Sequence, residues 1–139
     1  MMNKILCAVD DTEHAKNAII VATELSKAAN AELMLLAVNP LTGGYGRGGI
    51  STFAWTGEQV DRLLASAAAT AREHGAAGAK VRSVKSRDVA RAIVIFAEDN
   101  DIDHIVVGTG EKGGLTQLML GSVSRDVVSR AHCPVTVAR

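Results

Sequence analysis

The sequence has little of what would tie it to nucleic acid, a membrane or an oxidising compartment. Aromatic residues make up only 3% of the chain, too few to build base-stacking platforms. The 15 Lys and Arg are matched by 15 Asp and Glu, so no net field draws in a polyanion or an anionic bilayer. Polynucleotide binding is therefore not expected. There are only 2 cysteines, Cys7 and Cys133, too far apart in sequence to suggest a disulfide framework. Cys7 lies in an apolar run, where a thiol behaves as a small hydrophobe. His132 and Cys133 are neighbours along a strand and so point to opposite faces, a poor arrangement for a shared metal. No apolar run approaches the roughly 20 residues needed to cross a bilayer. The opening "MMNKILCAVDD" reaches acidic residues too soon for a signal peptide. A cytoplasmic protein without membrane insertion is expected.

What is present is a core-forming chain. At 139 residues, with 47% hydrophobic content, residues 1–139 read as a single domain able to bury a sizeable core. Three continuous apolar runs, "KILCAVD", "ELMLLAVN" and "HIVVG", read as strands covered on both faces. "KVRSVKS" alternates imperfectly and reads as a shorter strand near an edge, and "PVTVAR" begins on Pro134, which a strand tolerates at its first residue. Helical spacing fills the gaps. Ala15, Ala18, Ile19, Ala22 and Ala29 mark one face after Asp10, Asp11 and Thr12, any of which could cap it. Val60, Leu63, Leu64, Ala67 and Ala71 mark a second face. Val89, Ala92, Ile93 and Phe96 mark a third, capped by Ser86 or Asp88. Val123, Val127, Val128 and Ala131 mark the last. Regular alternation of strand and helix predicts an α/β fold, a three-layer open parallel sheet of five strands with helices on both faces. The one long irregular segment runs from Asn39 to Thr56. Its glycines, Gly43 to Gly49, read either as a mobile insertion or as a lid in which Tyr45, Arg47, Phe53 and Trp55 would be candidate contacts.

In such a sheet a ligand sits beyond the carboxyl ends of the strands. That directs attention to Asp10-Asp11-Thr12, Val38-Asn39-Pro40 and the loop from Gly108. Gly108, Gly110 and Gly113 spell G-x-G-x-x-G, but the dinucleotide reading needs a ribose-binding acid about 20 residues further on. Cys133 stands there instead, so that reading fails. A split phosphate cradle fits better. Gly108 would let a ligand approach the strand end. Gly121, Ser122, Val123 and Ser124 open the last helix, where free N–H groups and the helix dipole favour an anion. Ser122 is equally readable as a simple N-cap.

These segments resemble the universal stress protein family over nearly the whole chain. "KILCAVDDTEHAKNAI" is similar to its opening strand and helix. "DIDHIVVGTGEKGGLTQLMLGSVSRDVVSRAHCPVTVAR" is similar to its closing half, with G-S-V-S and H-C-P-V. The resemblance implies an adenine nucleotide alpha hydrolase-like fold of strand order 3-2-1-4-5 and a homodimer through the last strand, Pro134–Arg139. It also implies ATP or AMP as ligand, with or without Mg2+, through G-x-x-G-x9-G-[S/T]. Carried over, Gly108, Gly121 and Ser122 match, while Glu111 stands where the second glycine should be. Asp10 is placed near the ribose or base, with Thr12 where the family commonly has serine. Ala8 and Val9 would run along the adenine, the Val38 backbone on its edge, and Thr109 and Gly110 at the phosphates. The implied role is a nucleotide-binding stress-response regulator; the alternative, suggested by Glu111, is a dimeric regulator without nucleotide. A phospho-acceptor receiver is excluded because the third strand ends in Val84-Lys85-Ser86-Arg87 rather than an aspartate. No Walker loop, nucleophile elbow or zinc-ligand spacing marks an enzyme, so slow ATP turnover is the most that is expected.

Overall fold

The computed structural model describes residues 2–109 and 121–139. Strand β1 (Lys4–Val9) leads into helix α1 (Glu13–Ala29), followed by β2 (Glu32–Gly43), β3 (Ser51–Phe53) and α2 (Gly57–Glu73). The chain continues through β4 (Lys80–Ser86), α3 (Val89–Asp99), β5 (His104–Gly108), α4 (Ser122–Arg130) and β6 (Val135–Ala138). The parallel strands stand in the order β4-β2-β1-β5-β6, which is the expected 3-2-1-4-5 once the unforeseen β3 is set aside.

Period-two alternation along buried strands sorts the core into two halves. Ile5, Cys7 and Val9 join Leu33, Leu35 and Ala37 under α1 and α2. Leu6 joins Met34, Leu36, Val38, Ile105 and Val107 under α3 and α4. Because both faces are covered, these runs read as continuous rather than alternating. Strand β4 pairs with β2 alone among the described residues, and most of its side chains are exposed, as its weak apolar pattern implied, but at 7 residues it is not the shorter strand expected.

Two expectations need correction. The segment from Asn39 to Thr56 is not irregular throughout. Strand β2 runs on to Gly43, and Leu41–Gly43 pairs antiparallel with β3, making a hairpin. The backbone at Gly43 has φ +77, and a Cβ there would stand 2.6 Å from the Ile50 carbonyl oxygen, so glycine is required for this turn. Arg87, just past β4, donates to the Gly43 carbonyl at 2.6 Å and the Ser51 hydroxyl at 3.2 Å, and lies over the Tyr45 ring. The second correction concerns α4. Val127 is fully buried, but Val123 and Val128 are 37% and 47% exposed, so the inward stripe is narrower than the sequence suggested.

Candidate functional site

The exit of β1 is shaped by one side chain. Asp10 Oδ1 accepts from the Thr12 N–H at 2.9 Å and from the Thr12 hydroxyl at 2.6 Å, turning the strand into α1. Thr12 occupies the N-cap position of α1 but makes no capping bond with its own side chain. Asp10 thus carries the local geometry, and its Oδ2 makes no hydrogen bond among the described residues. Below it, burial and then the Asp10 charge push the Cys7 thiol far above its ordinary range, so Cys7 stays a neutral core residue.

On the neighbouring strand, Gly108 has a reason for being glycine that the sequence did not reveal. A Cβ there would stand 2.8 Å from the His14 carbonyl oxygen, so the residue lets β5 end against the backbone of α1. Thr109, expected at the phosphates, turns inward. Only 6% exposed, it donates its N–H to Ala138 at 3.1 Å and accepts from the Gly121 N–H at 2.7 Å. The Ser124 hydroxyl, also buried, shares its proton between the carbonyls of Thr109 (3.2 Å) and Gly121 (3.0 Å). Three parts of the cradle therefore differ from expectation. Thr109 is an anchor and does not line the cavity; the Gly121 amide is already bonded; and Ser124 fastens the helix start. The N-cap of α4 is Gly121, not Ser122. The amides of Ser122, Val123 and Ser124 remain free of helical partners, because the first intrahelical bond runs from Arg125 N–H to the Gly121 carbonyl. Gly110 and Glu111 lie outside the described residues.

The third wall comes from β2. Asn39, 3% exposed, holds the backbone of Trp55 with both ends of its amide. Its Nδ2 donates to the Trp55 carbonyl at 2.8 Å, and its Oδ1 accepts from the Trp55 N–H at 3.0 Å. The Ala54 N–H also reaches the Pro40 carbonyl at 2.8 Å.

These three exits enclose one cavity of about 490 Å3, within the usual range for small-molecule sites. Ala8, Val9, Asp10 and Thr12 line it from β1 and its turn, Val38 from β2, and Gly108 from β5. Gly121, Ser122, Val123 and Ser124 close it from α4. Among the described residues singled out from sequence, Thr109, Asn39, Tyr45, Arg47 and Phe53 are not part of the lining. Pro40, in a loop that the sequence pointed to, lines it as well, whereas Leu36 and Ala54, and Val89 and Ile93 from α3, were not expected at the site. Trp55 was named only as part of a lid. The strand-switch rule locates tips of parallel strands and carries no signal for a hairpin returning to them.

A profile of the universal stress protein family matches residues 1–139. The chain belongs to that family. A universal stress protein of Methanocaldococcus jannaschii is 34% identical over 129 residues, covering 91% of this chain and 74% of the relative. One from Thermus aquaticus is 33% identical over 144 residues, covering all of both. Among solved structures, a universal stress protein from Archaeoglobus fulgidus superimposes with a TM-score of 0.77 at 24% identity over the whole of both chains. The structure of the Archaeoglobus fulgidus protein in complex with dAMP gives 0.73, covering 100% of this chain and 98% of the other. At that identity the likeness speaks for the fold. Two further points concern the described part of this family member. No helix is long and apolar enough to cross a membrane, and no group of three His, Cys, Asp or Glu gathers that could hold a metal.

Proposed function

We propose that the cavity binds an adenine nucleotide and that the protein acts as a homodimeric, nucleotide-responsive regulator of a stress response in the cytoplasm. The observation that carries this reading is the pairing of an apolar wall with the amides of Ser122, Val123 and Ser124, which have no partner among the described residues, across one crevice. The α4 dipole favours a phosphate there, and Asp10 Oδ2, which makes no hydrogen bond among the described residues, is available to accept from a ribose hydroxyl. The complex of the Archaeoglobus fulgidus relative with dAMP supports the same ligand class.

The described lining carries two carboxylates, Asp10 and Asp11, and no Lys or Arg. Each added phosphate charge is repelled by them, so AMP binds more readily than ATP unless Mg2+ accompanies the triphosphate. The same lack of cations favours the second reading, a dimeric regulator that holds no nucleotide. The dimer contact we assign is Pro134–Arg139. Strand β6 pairs with β5 only, among the described residues, leaving its outer backbone groups open to a second copy. Free Cys7 and Cys133 suit a reducing compartment.

Thermal denaturation with AMP, ATP or GTP, each with and without Mg2+, separates the readings. An adenine nucleotide at about 100 times its dissociation constant stabilises by about 2.7 kcal/mol, a melting shift of several degrees, and GTP gives little. Equal silence from all of them supports the nucleotide-free regulator.

A further inference from the structure

The chain has 1 tryptophan, and it stands in the wall of the cavity. Nothing in the local sequence would bring it there, since it follows a glycine-rich excursion that leaves the sheet. What returns it is Asn39, a buried polar residue where the parallel pairing of β2 with β4 ends. Its amide bonds the Trp55 N–H and carbonyl together, at 3.0 and 2.8 Å, as a neighbouring strand would. With the bond from Ala54 to Pro40, the return point is fastened to β2 at three places. A buried amide so fully matched to one residue is a specific device, because losing it leaves two backbone groups unpaired.

The topology gives this staple a use. Trp55, Ala54 and Pro40 stand where β2 leaves its parallel pairing, and the α4 amides stand beyond β5. Strand β1 lies between, so the two ends are separated by two strand spacings, roughly 10 Å. An aromatic and aliphatic wall at one end and anion-binding amides at the other suit a ligand with a flat base at one end and a phosphate at the other. We propose that Trp55 packs against the base of the bound nucleotide and that Asn39 is the positioning residue that holds it there. This rests on the nucleotide reading above. Base selection is then a property of the hairpin, and phosphate binding a property of α4.

Calorimetric titration of the wild type, Trp55→Phe, Trp55→Ala and Asn39→Ala with AMP and with millimolar ribose 5-phosphate tests this. Trp55→Ala and Asn39→Ala weaken AMP about tenfold, the scale of one lost aromatic–base contact, and leave ribose 5-phosphate unchanged. Trp55→Phe keeps most of the affinity, and the emission of Trp55 in the wild type changes on adding AMP. Unchanged AMP affinity in Trp55→Ala overturns the proposal while leaving the nucleotide reading standing. So does an equal loss for both ligands, which marks a merely structural role. Should Asn39→Ala not fold, the two Trp55 variants decide. A wild type that binds neither ligand overturns both readings.

Discussion

Gly108 and Asp10 illustrate how a single residue can carry more than the role its sequence context advertises. A glycine at a strand end in front of a ligand site reads as an open door for the ligand. In the structure its missing Cβ also lets β5 meet the carbonyl of His14. Gly108→Ala must therefore displace α1, and we predict a loss of about 1–3 kcal/mol in chemical denaturation, the range for overpacking, even without ligand. A ligand-approach role alone would leave the apoprotein unaffected. Asp10 was legible as a site residue, since an acid ending the first strand is plain in "KILCAVDD". Its bond to Thr12 was not, because any of three polar residues could have started the helix. Thr109 went the other way. Adjacency to Gly108 suggested a phosphate contact, whereas its carbonyl is taken by Gly121 and Ser124, a pairing that depends on chain folded back from beyond position 120.

At the scale of elements, the parallel strands were legible because burial on both faces leaves an unmistakable apolar run, and the helices because their inward residues recur at helical spacing. Strand β3 was not, being three exposed residues after a cluster of glycines. The cap of α2 was legible but unread. Thr56-Gly57-Glu58-Gln59 carries the capping-box spacing, and the structure forms both halves. The Thr56 hydroxyl accepts from the Gln59 N–H at 3.1 Å, and the Gln59 side chain accepts from the Thr56 N–H at 2.8 Å. Thr56→Ala should destabilise by about 1 kcal/mol in urea unfolding, and an unaltered midpoint would show that the box adds nothing. At the start of α3, Asp88 caps Arg91 N–H at 3.1 Å and meets Arg130 of α4 at 3.2 Å, joining the two helices that cover one face. Of the two caps considered from sequence, the structure uses Asp88.

For the whole molecule, the pH dependence of stability follows from a few buried or bonded groups. His104 hydrogen-bonds Thr136 at 2.7 Å across β5 and β6, and its burial lowers its pKa from the ordinary 6.5. The unfolded chain then takes up a proton more readily than the folded one, so stability declines as pH falls below about 6.5. Asp103, which accepts from the Asn3 and Lys4 amides at 2.8 Å, Glu32 beside Lys80, and Asp88 all have lowered pKa values. Their contribution is present above their unfolded values, near 4, and is lost as pH falls through that region. Thermal unfolding followed from pH 8 to 3 should show two declines, and His104→Gln should remove the first; one persisting unchanged in that variant would assign it elsewhere. The architecture that positions these groups, order β4-β2-β1-β5-β6, also sets an apolar wall and the amides that open α4 on opposite sides of β1. The most direct examination of that arrangement is a crystal structure grown with saturating AMP. A phosphate is expected within hydrogen-bond reach of the Ser122, Val123 and Ser124 amides, with a base between Val38 and Trp55. A crevice holding solvent alone, or a nucleotide bound elsewhere on the surface, would contradict it.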